Sequence, residues 1–378
     1  MKQILLILAV MVGQSVLAAD KKPLIAALPA QPLEWSRVSA KGDSFVRGPK
    51  NETFRAWGFN YDHDESGRLL EDYWETEWDT VVADFAEMKA LGANIVRIHL
   101  QLGKFMNASD QPNAKALTQL KRLIRLAENT GLYINLPGLG CYHKKDVPEW
   151  YDKLEETARW KTQARFWKAI AQVGSDSPAI FCYDLMNEPI LPGKKKETEW
   201  LTGEFAGKHF VQRIALNLAG RTRQQVAQAW VEQLVAEIRR HDQRHMITVG
   251  VIPWALTFPG AKPLFYTPEI GGKLDFVSVH FYPEKHEVDK ALKALAVYNV
   301  GKPLVIEEMF PLKCSLPELD QFVTQSAKTV DGWIGFYWGR TLENYRADKA
   351  SLKSAVMQQW LEYFQTNVPA GNRSPREK

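Results

Sequence analysis

Short apolar segments alternate with amphipathic helical segments along most of the 378-residue chain. Eight apolar runs have the length of a strand, and each is followed by a helical pattern or by a long connection. Regular alternation of this kind is typical of a parallel sheet with helices packed outside it. Eight strand–helix units are the number that closes a (β/α)8 barrel. We therefore predict an α/β fold of the TIM-barrel type.

A doubly wound open sheet is the alternative to a barrel. That fold usually carries a glycine-rich turn after its first strand, whereas the segment WGFNYDHDESG has no G-x-G-x-x-G pattern. The barrel is therefore favoured. The predicted strands span 53–60, 94–100, 131–136, 246–251, 273–281, 303–308 and 332–338, and the fourth lies within 181–190. The predicted helices span 79–91, 114–129, 155–173, 221–240, 287–298, 317–329 and 349–364.

The first 19 residues have the features of a secretory signal peptide. A lysine precedes an apolar stretch at 4–12, and small residues end the segment at Ala18 or Ala19. An uncleaved N-terminal anchor is the alternative. We expect residues 20–378 to form one exported domain, secreted or periplasmic and monomeric, with a long insert at about 189–220.

The net charge and the cysteine spacing limit which classes of ligand the protein can bind. A formal net charge of +4 without a basic stripe argues against a nucleic-acid partner. Cys141, Cys182 and Cys314 lack metal-ligand spacing, and a disulfide between two of them stays open. The one dense group of ligand-type residues is DHDE at 62–65, which we interpret as a solvated loop. We expect no metal and no cofactor.

Polar side chains collect at the carboxyl ends of the predicted strands. In a barrel these ends meet on one face, and that face carries the active site. The residues are Asn60 and Tyr61 (strand one), Arg97 and His99 (two), Asn187 and Glu188 (four), His280 and Tyr282 (six), Glu307 and Glu308 (seven) and Trp338 (eight).

Asn187 and Glu188 are neighbours, and neighbouring side chains on a strand point to opposite faces. Both reach one pocket only if the strand bulges or ends there. The following Pro189 favours an end, because proline cannot extend the hydrogen-bond ladder. Two glutamates on separate strand ends indicate cleavage of a glycosidic bond, in which one carboxyl protonates the leaving oxygen and the other attacks the sugar or activates water.

Five segments of the sequence resemble glycoside hydrolase family 5, the cellulase–mannanase family of retaining (β/α)8 glycosidases. They lie in the family's order between residues 57 and 338. The segments are LGANIVRIHL at strand two, DLMNEP at strand four, VSVHFYP at strand six, KPLVIEEMF at strand seven and the Trp338 end of strand eight.

The resemblance implies a role for each matching residue. Glu188 corresponds to the acid/base and Glu308 to the nucleophile. Asn187 corresponds to the amide that contacts the sugar 2-hydroxyl. Arg97 corresponds to the arginine that supports the nucleophile's charge, which keeps that carboxylate ionised, and Trp338 corresponds to the platform under the reacting sugar.

The resemblance also matches His280 and Tyr282 to the strand-six pair, with the tyrosine near the nucleophile. The sequence departs from the family at strand three, where LPGLGCYH brings His143 late. We nevertheless include His143 and Asn60 among the expected substrate-binding residues. Trp254 joins them, because it is one of several tryptophans in predicted connections at the catalytic face and such rings stack on sugars.

The expected function is retaining hydrolysis of a β-linked glucan or mannan by double displacement. The substrate partner is a β-linked oligo- or polysaccharide. A carbohydrate-binding barrel without catalysis, an exo-acting β-glycosidase on short oligosaccharides and a metal-dependent barrel hydrolase are the alternatives. Sugar identity, linkage, and endo or exo action stay open on the sequence alone.

Overall fold

A computed structural model describes residues 32–369. The predicted signal peptide at 1–19 lies outside these residues, so that prediction is untested. Within 32–369 no helix combines the length and the apolar character that a membrane crossing requires. All three cysteines are free.

The barrel predicted from the strand–helix alternation is confirmed. Its parallel strands follow one another in chain order, and strand eight closes on strand one with Phe336 opposite Asn60. Strand five is divided, because its first part pairs with strand four and its second part with strand six. Barrel strands one to eight are Ala56–Asn60, Ile95–Arg97, Tyr133–Pro137, Ile180–Asp184, Met246–Thr248 with Gly250–Val251, Val277–His280, Leu304–Glu308 and Gly332–Phe336.

Helices surround the barrel, and the seven predicted ones are present with ends shifted by a few residues. The long helices are Trp78–Ala90, Ala114–Thr130, Glu156–Gly174, Arg223–Arg239, Val288–Ala296, Leu316–Ser326 and Leu352–Thr366. Shorter helices are Leu70–Tyr73, Leu102–Phe105, Glu149–Asp152, Trp254–Thr257, Pro268–Gly271 and Leu342–Ala347, with 3-10 turns at Lys144–Asp146 and Leu264–Tyr266.

Local sequence explains where these helices begin and end. The Asn113 side chain accepts hydrogen bonds from the first backbone amides of Ala114–Thr130, and Gly131 ends that helix at φ 71°. Both are the residue types that such positions prefer. The connection after strand five carries four prolines and contains only short helices, as the sequence predicts.

The amino end of the barrel is closed by a small antiparallel sheet that the sequence did not indicate. Its strands are Ser36–Val38, Phe45–Arg47 and Glu52–Phe54. The strand predicted over 53–60 is confirmed for Ala56–Asn60, but its start was wrong, because Thr53 and Phe54 belong to the small sheet and the chain enters the barrel at Ala56. Phe45 and Phe54 pack against Phe181 and fill that end with apolar side chains.

The insert after strand four folds back over the barrel face. Pro189–Ile190 pairs in parallel with Gln212–Arg213. Between them, Phe205 and Lys208 exchange backbone hydrogen bonds of 2.9 and 3.0 Å and so form a two-residue hairpin turn. A further two-stranded pair joins Met106–Ala108 to Gln111–Pro112. The barrel thus has one end filled by aromatic side chains and an opposite end lined by polar strand ends.

Candidate active site

Arg97 lies at the centre of the polar face, fully buried. Its guanidinium is bordered by three carboxylates: Asp184 at 2.8 Å, Glu307 at 3.2 Å and Glu308 at 2.9 Å. Burial disfavours its charge, but these carboxylates outweigh burial and raise the pKa of Arg97 above its usual value. The guanidinium thereby links the ends of barrel strands two, four and seven.

A row of side chains fixes the other side of Arg97. Its Nη1 donates to Asn60 Oδ1 at 2.9 Å, and the Asn60 amide donates to the backbone oxygens of Glu307 and Gly335 at 2.8 and 2.9 Å. His99 lies 3.0 Å from Asn60 and bonds through Nδ1 to the hydroxyl of Tyr142. Burial and the neighbouring arginine hold the pKa of His99 well below its usual value, so this histidine is a neutral structural element.

Glu308 receives two hydrogen bonds. Arg97 donates to its Oε1, and the Tyr282 hydroxyl donates to its Oε2 at 2.7 Å. Burial and the Glu308 charge raise the pKa of Tyr282 well above its usual value, so the phenol stays protonated as a donor. These two donors hold both oxygens of the partly buried carboxylate in place.

Asn187 and Glu188 both reach the pocket because strand four ends at Asp184. The expected strand end is present, but it lies at Asp184 and not at Pro189, which pairs with Gln212 in a separate two-stranded sheet. Glu188 adopts the left-handed conformation at φ 48°, and its amide donates to the Gly250 oxygen at 2.9 Å. A non-glycine residue in that region costs on the order of 1 kcal/mol or more. The strained backbone conformation is located at the residue whose side chain points into the pocket.

The two glutamates face each other closely. One oxygen of Glu188, one ring nitrogen of His280 and one oxygen of Glu308 all lie within 4.8 Å of one another. Retaining glycosidases hold their carboxyl groups about 5–5.5 Å apart, whereas inverting enzymes need about 6.5–9.5 Å to admit a water. The separation fits the retaining geometry.

His280 lies between the two glutamates. Its Nδ1 is 2.8 Å from Glu188 Oε1 and 3.5 Å from Glu308 Oε2. Burial opposes its protonation, but the carboxylates outweigh burial and raise the pKa of His280 above its usual value. The hydrogen bond between His280 Nδ1 and Glu188 Oε1 holds the Glu188 carboxyl group in place.

Glu307 points into the barrel, away from the cleft, and is fully buried. It accepts a hydrogen bond of 2.6 Å from Asn135 Nδ2, and its second oxygen forms the ion pair with Arg97 Nε at 3.2 Å. Burial raises the pKa of Glu307 to about 7. This glutamate supports Arg97 from below and does not face the pocket.

Strand five makes room for this network through a glycine. A methyl group on Gly250 would lie 2.9 Å from Asp184 and His280 and 3.0 Å from Arg97. The Gly250 amide also donates to Asp184 at 2.8 Å. No residue with a side chain fits at this position without moving the charged groups.

Trp338 follows strand eight and is half-buried. Its ring lies 5.4 Å from Phe310, 5.7 Å from Phe336 and 6.0 Å from His63. Its indole nitrogen has no hydrogen-bond partner in the described part of the chain. A large ring supported from behind by Phe310 and Phe336 suits stacking on a sugar.

Two predicted binding residues lie apart from this cluster. His143 begins the 3-10 turn Lys144–Asp146, and its side chain makes no hydrogen bond or ion pair within residues 32–369. Its neighbour Tyr142 enters the network instead, through His99. Trp254 is 42% exposed in the connection after strand five and stacks on Phe258. Their roles in binding stay predictions.

Sequence reasoning missed Asp184, Asn135, Tyr142 and Lys208. Asp184 and Asn135 are polar residues inside otherwise apolar strands, and buried polar groups need partners. That signal was readable in FCYD and YINL. Tyr142 and Lys208 lie in irregular connections, where the sequence pattern gives no direction for a side chain.

Metal binding has one geometric candidate among the described residues, the trio Glu188, His280 and Glu308. The DHDE segment at 62–65 does not form such a group. At the trio, Arg97 already supplies a positive charge 2.9 Å from Glu308. A second cation there would be repelled by the guanidinium, so the trio is better suited to proton transfer than to metal binding.

Solved structures with the same fold include three carbohydrate-active proteins. An endoglucanase catalytic domain from Thermobifida fusca, in complex with cellotetraose, is 15% identical with a TM-score of 0.57, covering 88% of this chain and 97% of that one. An exo-β-1,4-mannosidase from an Opitutaceae bacterium has 14% identity and a TM-score of 0.62, covering 87% and 61%. A β-1,4-mannanase from the sea hare Aplysia kurodai has 16% identity and a TM-score of 0.57, covering 79% and 92%.

At these identities the likeness establishes the fold alone. No curated protein matches the sequence. Residues 50–367, however, match the family described as Cellulase (glycosyl hydrolase family 5). This span contains the whole barrel and every polar strand end described above. The chain belongs to glycosyl hydrolase family 5, the cellulase family, and is a glycoside hydrolase.

Proposed function

We propose that the protein cleaves β-glycosidic bonds of a glucan or mannan by double displacement with retention. The observation that carries this proposal is the facing pair Glu188 and Glu308, in which one carboxylate oxygen of each residue lies within 4.8 Å of one oxygen of the other. That distance leaves no room for a water between the carboxylate and the sugar, so direct attack is favoured.

In the first step the ionised Glu308 attacks the anomeric carbon. Glu188 transfers its proton to the glycosidic oxygen, so the leaving sugar departs as an alcohol and a glycosyl ester forms on Glu308. In the second step Glu188, now a carboxylate, takes a proton from water. The resulting hydroxide attacks the same carbon and releases Glu308, which restores both groups.

The surrounding residues support these steps. Arg97 and Tyr282 hold Glu308 with its two oxygens fixed. Asn187 accepts from Arg97 at 3.0 Å and donates to the Phe210 oxygen at 3.1 Å. One amide hydrogen of Asn187 remains for the 2-hydroxyl of the reacting sugar. Trp338 provides the platform beneath that sugar.

Azide rescue tests the assignment of the two glutamates. Glu308→Ala should lower turnover of an aryl β-glycoside by about 10³-fold or more. Azide should restore turnover and yield the α-glycosyl azide, because it enters from the vacated face. Glu188→Ala should instead form the glycosyl ester from an activated aryl glycoside and yield the β-glycosyl azide.

Glu343→Ala is the matched control, since Glu343 is exposed in the short helix Leu342–Ala347, and it should leave turnover unchanged. Unchanged turnover in Glu308→Ala would refute the nucleophile assignment. A screen of aryl β-glucosides, β-mannosides and their oligosaccharides then identifies the sugar.

We also propose that the protein is exported. The support is the apolar stretch at 4–12 followed by small residues at Ala18 and Ala19. N-terminal sequencing of protein made in the native host should begin at residue 19 or 20. Retention of residue 1 in a membrane fraction would favour the uncleaved anchor instead.

A further inference from the structure

The hairpin at the tip of the strand-four insert crosses the barrel face. Residues 203–207 are exposed, but the next residue, Lys208, is only 4% exposed. Its ammonium lies beside the loop after strand one, since a methyl group on Gly67 would be 3.3 Å from Nζ. The insert therefore spans from strand four to the loop after strand one.

Backbone contacts fix the hairpin over strand three on its way. The His209 amide donates to the Tyr142 oxygen at 2.8 Å, and the Phe210 ring packs on Tyr142 at 4.9 Å. The side-chain Nε2 of Gln212 donates to the Leu139 backbone oxygen at 3.0 Å. Because Phe210 also accepts from Asn187, the hairpin is anchored directly beside the catalytic pair.

The loop that Lys208 meets carries polar groups without partners. Asp62 is 3% exposed, and its Oδ1 has no hydrogen-bond partner within the described chain. Its other oxygen pairs with His63 at 2.9 Å. The Lys208 ammonium makes no hydrogen bond or ion pair with the residues of 32–369, although the charges of Asp62 and Asp64 act on it. Buried polar atoms that lack partners are costly unless a ligand satisfies them.

These groups lie at the end of the sugar platform. The His63 ring is 6.0 Å from Trp338, and His63 is paired with Asp62. A sugar on Trp338 with its anomeric carbon at the glutamates therefore points its far hydroxyls toward Asp62 and Lys208.

Two exposed aromatic side chains lie in the connection after strand five. Trp254 and Phe258 follow strand five, next to strand four and its acid Glu188, and are 42% and 59% exposed. Their rings stack at 6.1 Å. The leaving group lies on the side of the acid, so these rings can receive the remainder of an oligosaccharide.

We propose that the hairpin closes the glycone end, so that the enzyme is exo-acting and removes one sugar at a time from the non-reducing end. Asp62 and Lys208 bind the outer hydroxyls of that terminal sugar and determine specificity for it. This inference rests on the proposed glycosidase function and adds its mode of action. Carboxylates and ammonium groups bind hydroxyls through charge-assisted hydrogen bonds.

An aryl trisaccharide with its non-reducing end blocked by a 4,6-O-benzylidene group tests the mode of action. The unblocked trisaccharide of the same sugar series is the reference. The wild-type enzyme should release one sugar from the unblocked compound and leave the blocked one intact. Equal hydrolysis of both would overturn the inference while the glycosidase function stands. Hydrolysis of neither, in the glucose and mannose series alike, would overturn both.

Variants of Lys208 test the hairpin itself. Lys208→Ala should cleave the blocked trisaccharide at least tenfold faster than the wild type, and it should release products longer than one sugar from a hexasaccharide labelled at its reducing end. Lys196→Ala is the matched control, because Lys196 is exposed in the same insert. A Lys208→Ala product ladder identical to that of the wild type would remove Lys208 from the closure.

Deoxy substrates test Asp62. Asp62→Asn should raise KM for an aryl monosaccharide about tenfold with a smaller change in kcat. In the wild type, removal of the sugar 4-hydroxyl should cost a similar factor, and in Asp62→Asn the same removal should cost little. Equal losses in the two enzymes would show that Asp62 does not contact that end of the sugar.

Discussion

Arg97 donates from one terminal nitrogen to Glu308 at 2.9 Å and from the other to Asp184 at 2.8 Å. The planar guanidinium therefore fixes the nucleophile relative to strand four, which carries the acid. A lysine ammonium in its place would preserve the charge but lose the fork of donors that reaches both carboxylates.

Arg97→Lys should accordingly lower kcat/KM for an aryl glycoside by about 10²- to 10³-fold. The measurement is steady-state kinetics alongside thermal unfolding, which separates lost activity from lost folding. Arg346→Lys serves as the control, because Arg346 is exposed and pairs with Glu362 at the surface. Activity near that of the wild type in Arg97→Lys would mean that charge alone supports Glu308.

Much of this site was predictable because barrel geometry gathers strand ends. Arg97, Glu188 and Glu308 are far apart in sequence, yet parallel strands deliver them to one face. The parity argument also held for Asn187 and Glu188, since only a strand end lets neighbours share a pocket. Two rules, the convergence of parallel strand ends on one face and the alternation of side chains along a strand, were therefore enough to predict these positions.

Features that depend on irregular backbone were not predictable. Lys208 reaches the loop after strand one because a tight turn reverses the insert, and no periodic pattern encodes that reach. The floor sheet was missed because its strands are three residues long and merge with the barrel pattern at 53–60. The sequence placed Glu307 on strand seven. Because Glu308 faces the pocket, Glu307 points into the barrel, and its contacts with Arg97 and Asn135 could not be predicted from the sequence.

The hydroxyl of Tyr282 gives a second prediction. It donates to Glu308 at 2.7 Å, so Tyr282→Phe removes one of two donors to the nucleophile. A hydrogen bond to a charged group contributes about 1.5–3 kcal/mol, so kcat should fall about 10- to 100-fold.

Tyr345→Phe is a matched control for this change. Tyr345 is buried, but its hydroxyl has no hydrogen-bond partner in the described structure. Its replacement should leave kcat and the melting temperature within experimental error of the wild type. Similar kinetics for the two variants would argue that the Tyr282 hydroxyl does not support the nucleophile.

The buried carboxyl of Glu307 predicts a pH dependence of stability. Burial raises its pKa from 4.5 to about 7, so the folded protein keeps a proton that the unfolded chain releases at lower pH. The stabilisation of the folded protein by this proton is therefore fully present below pH 4.5 and is lost as the pH rises through 7. The loss is on the order of 3 kcal/mol.

Glu307→Gln carries no proton to lose, and Asn135, whose Oδ1 has no partner in the described structure, can accept from the new amide. The free energy of unfolding of the wild type should therefore fall relative to that of Glu307→Gln between pH 4.5 and 7.5, by roughly the amount above. Urea titrations at four pH values give this difference. Parallel curves for the two proteins would contradict a protonated Glu307.

The exposed pair Trp254 and Phe258 gives the last prediction. If these rings receive the leaving oligosaccharide, Trp254→Ala should affect long substrates and spare short ones. KM for a hexasaccharide should rise about tenfold, because stacking on an aromatic ring contributes about 1 kcal/mol or more. KM for an aryl monosaccharide should stay within twofold of the wild type, since its small leaving group does not extend to the connection after strand five.

Leu352→Ala is the control, because Leu352 is an exposed apolar residue at the start of the last helix, away from the barrel face. A hexasaccharide KM that is unchanged in Trp254→Ala would show that the leaving oligosaccharide does not contact Trp254.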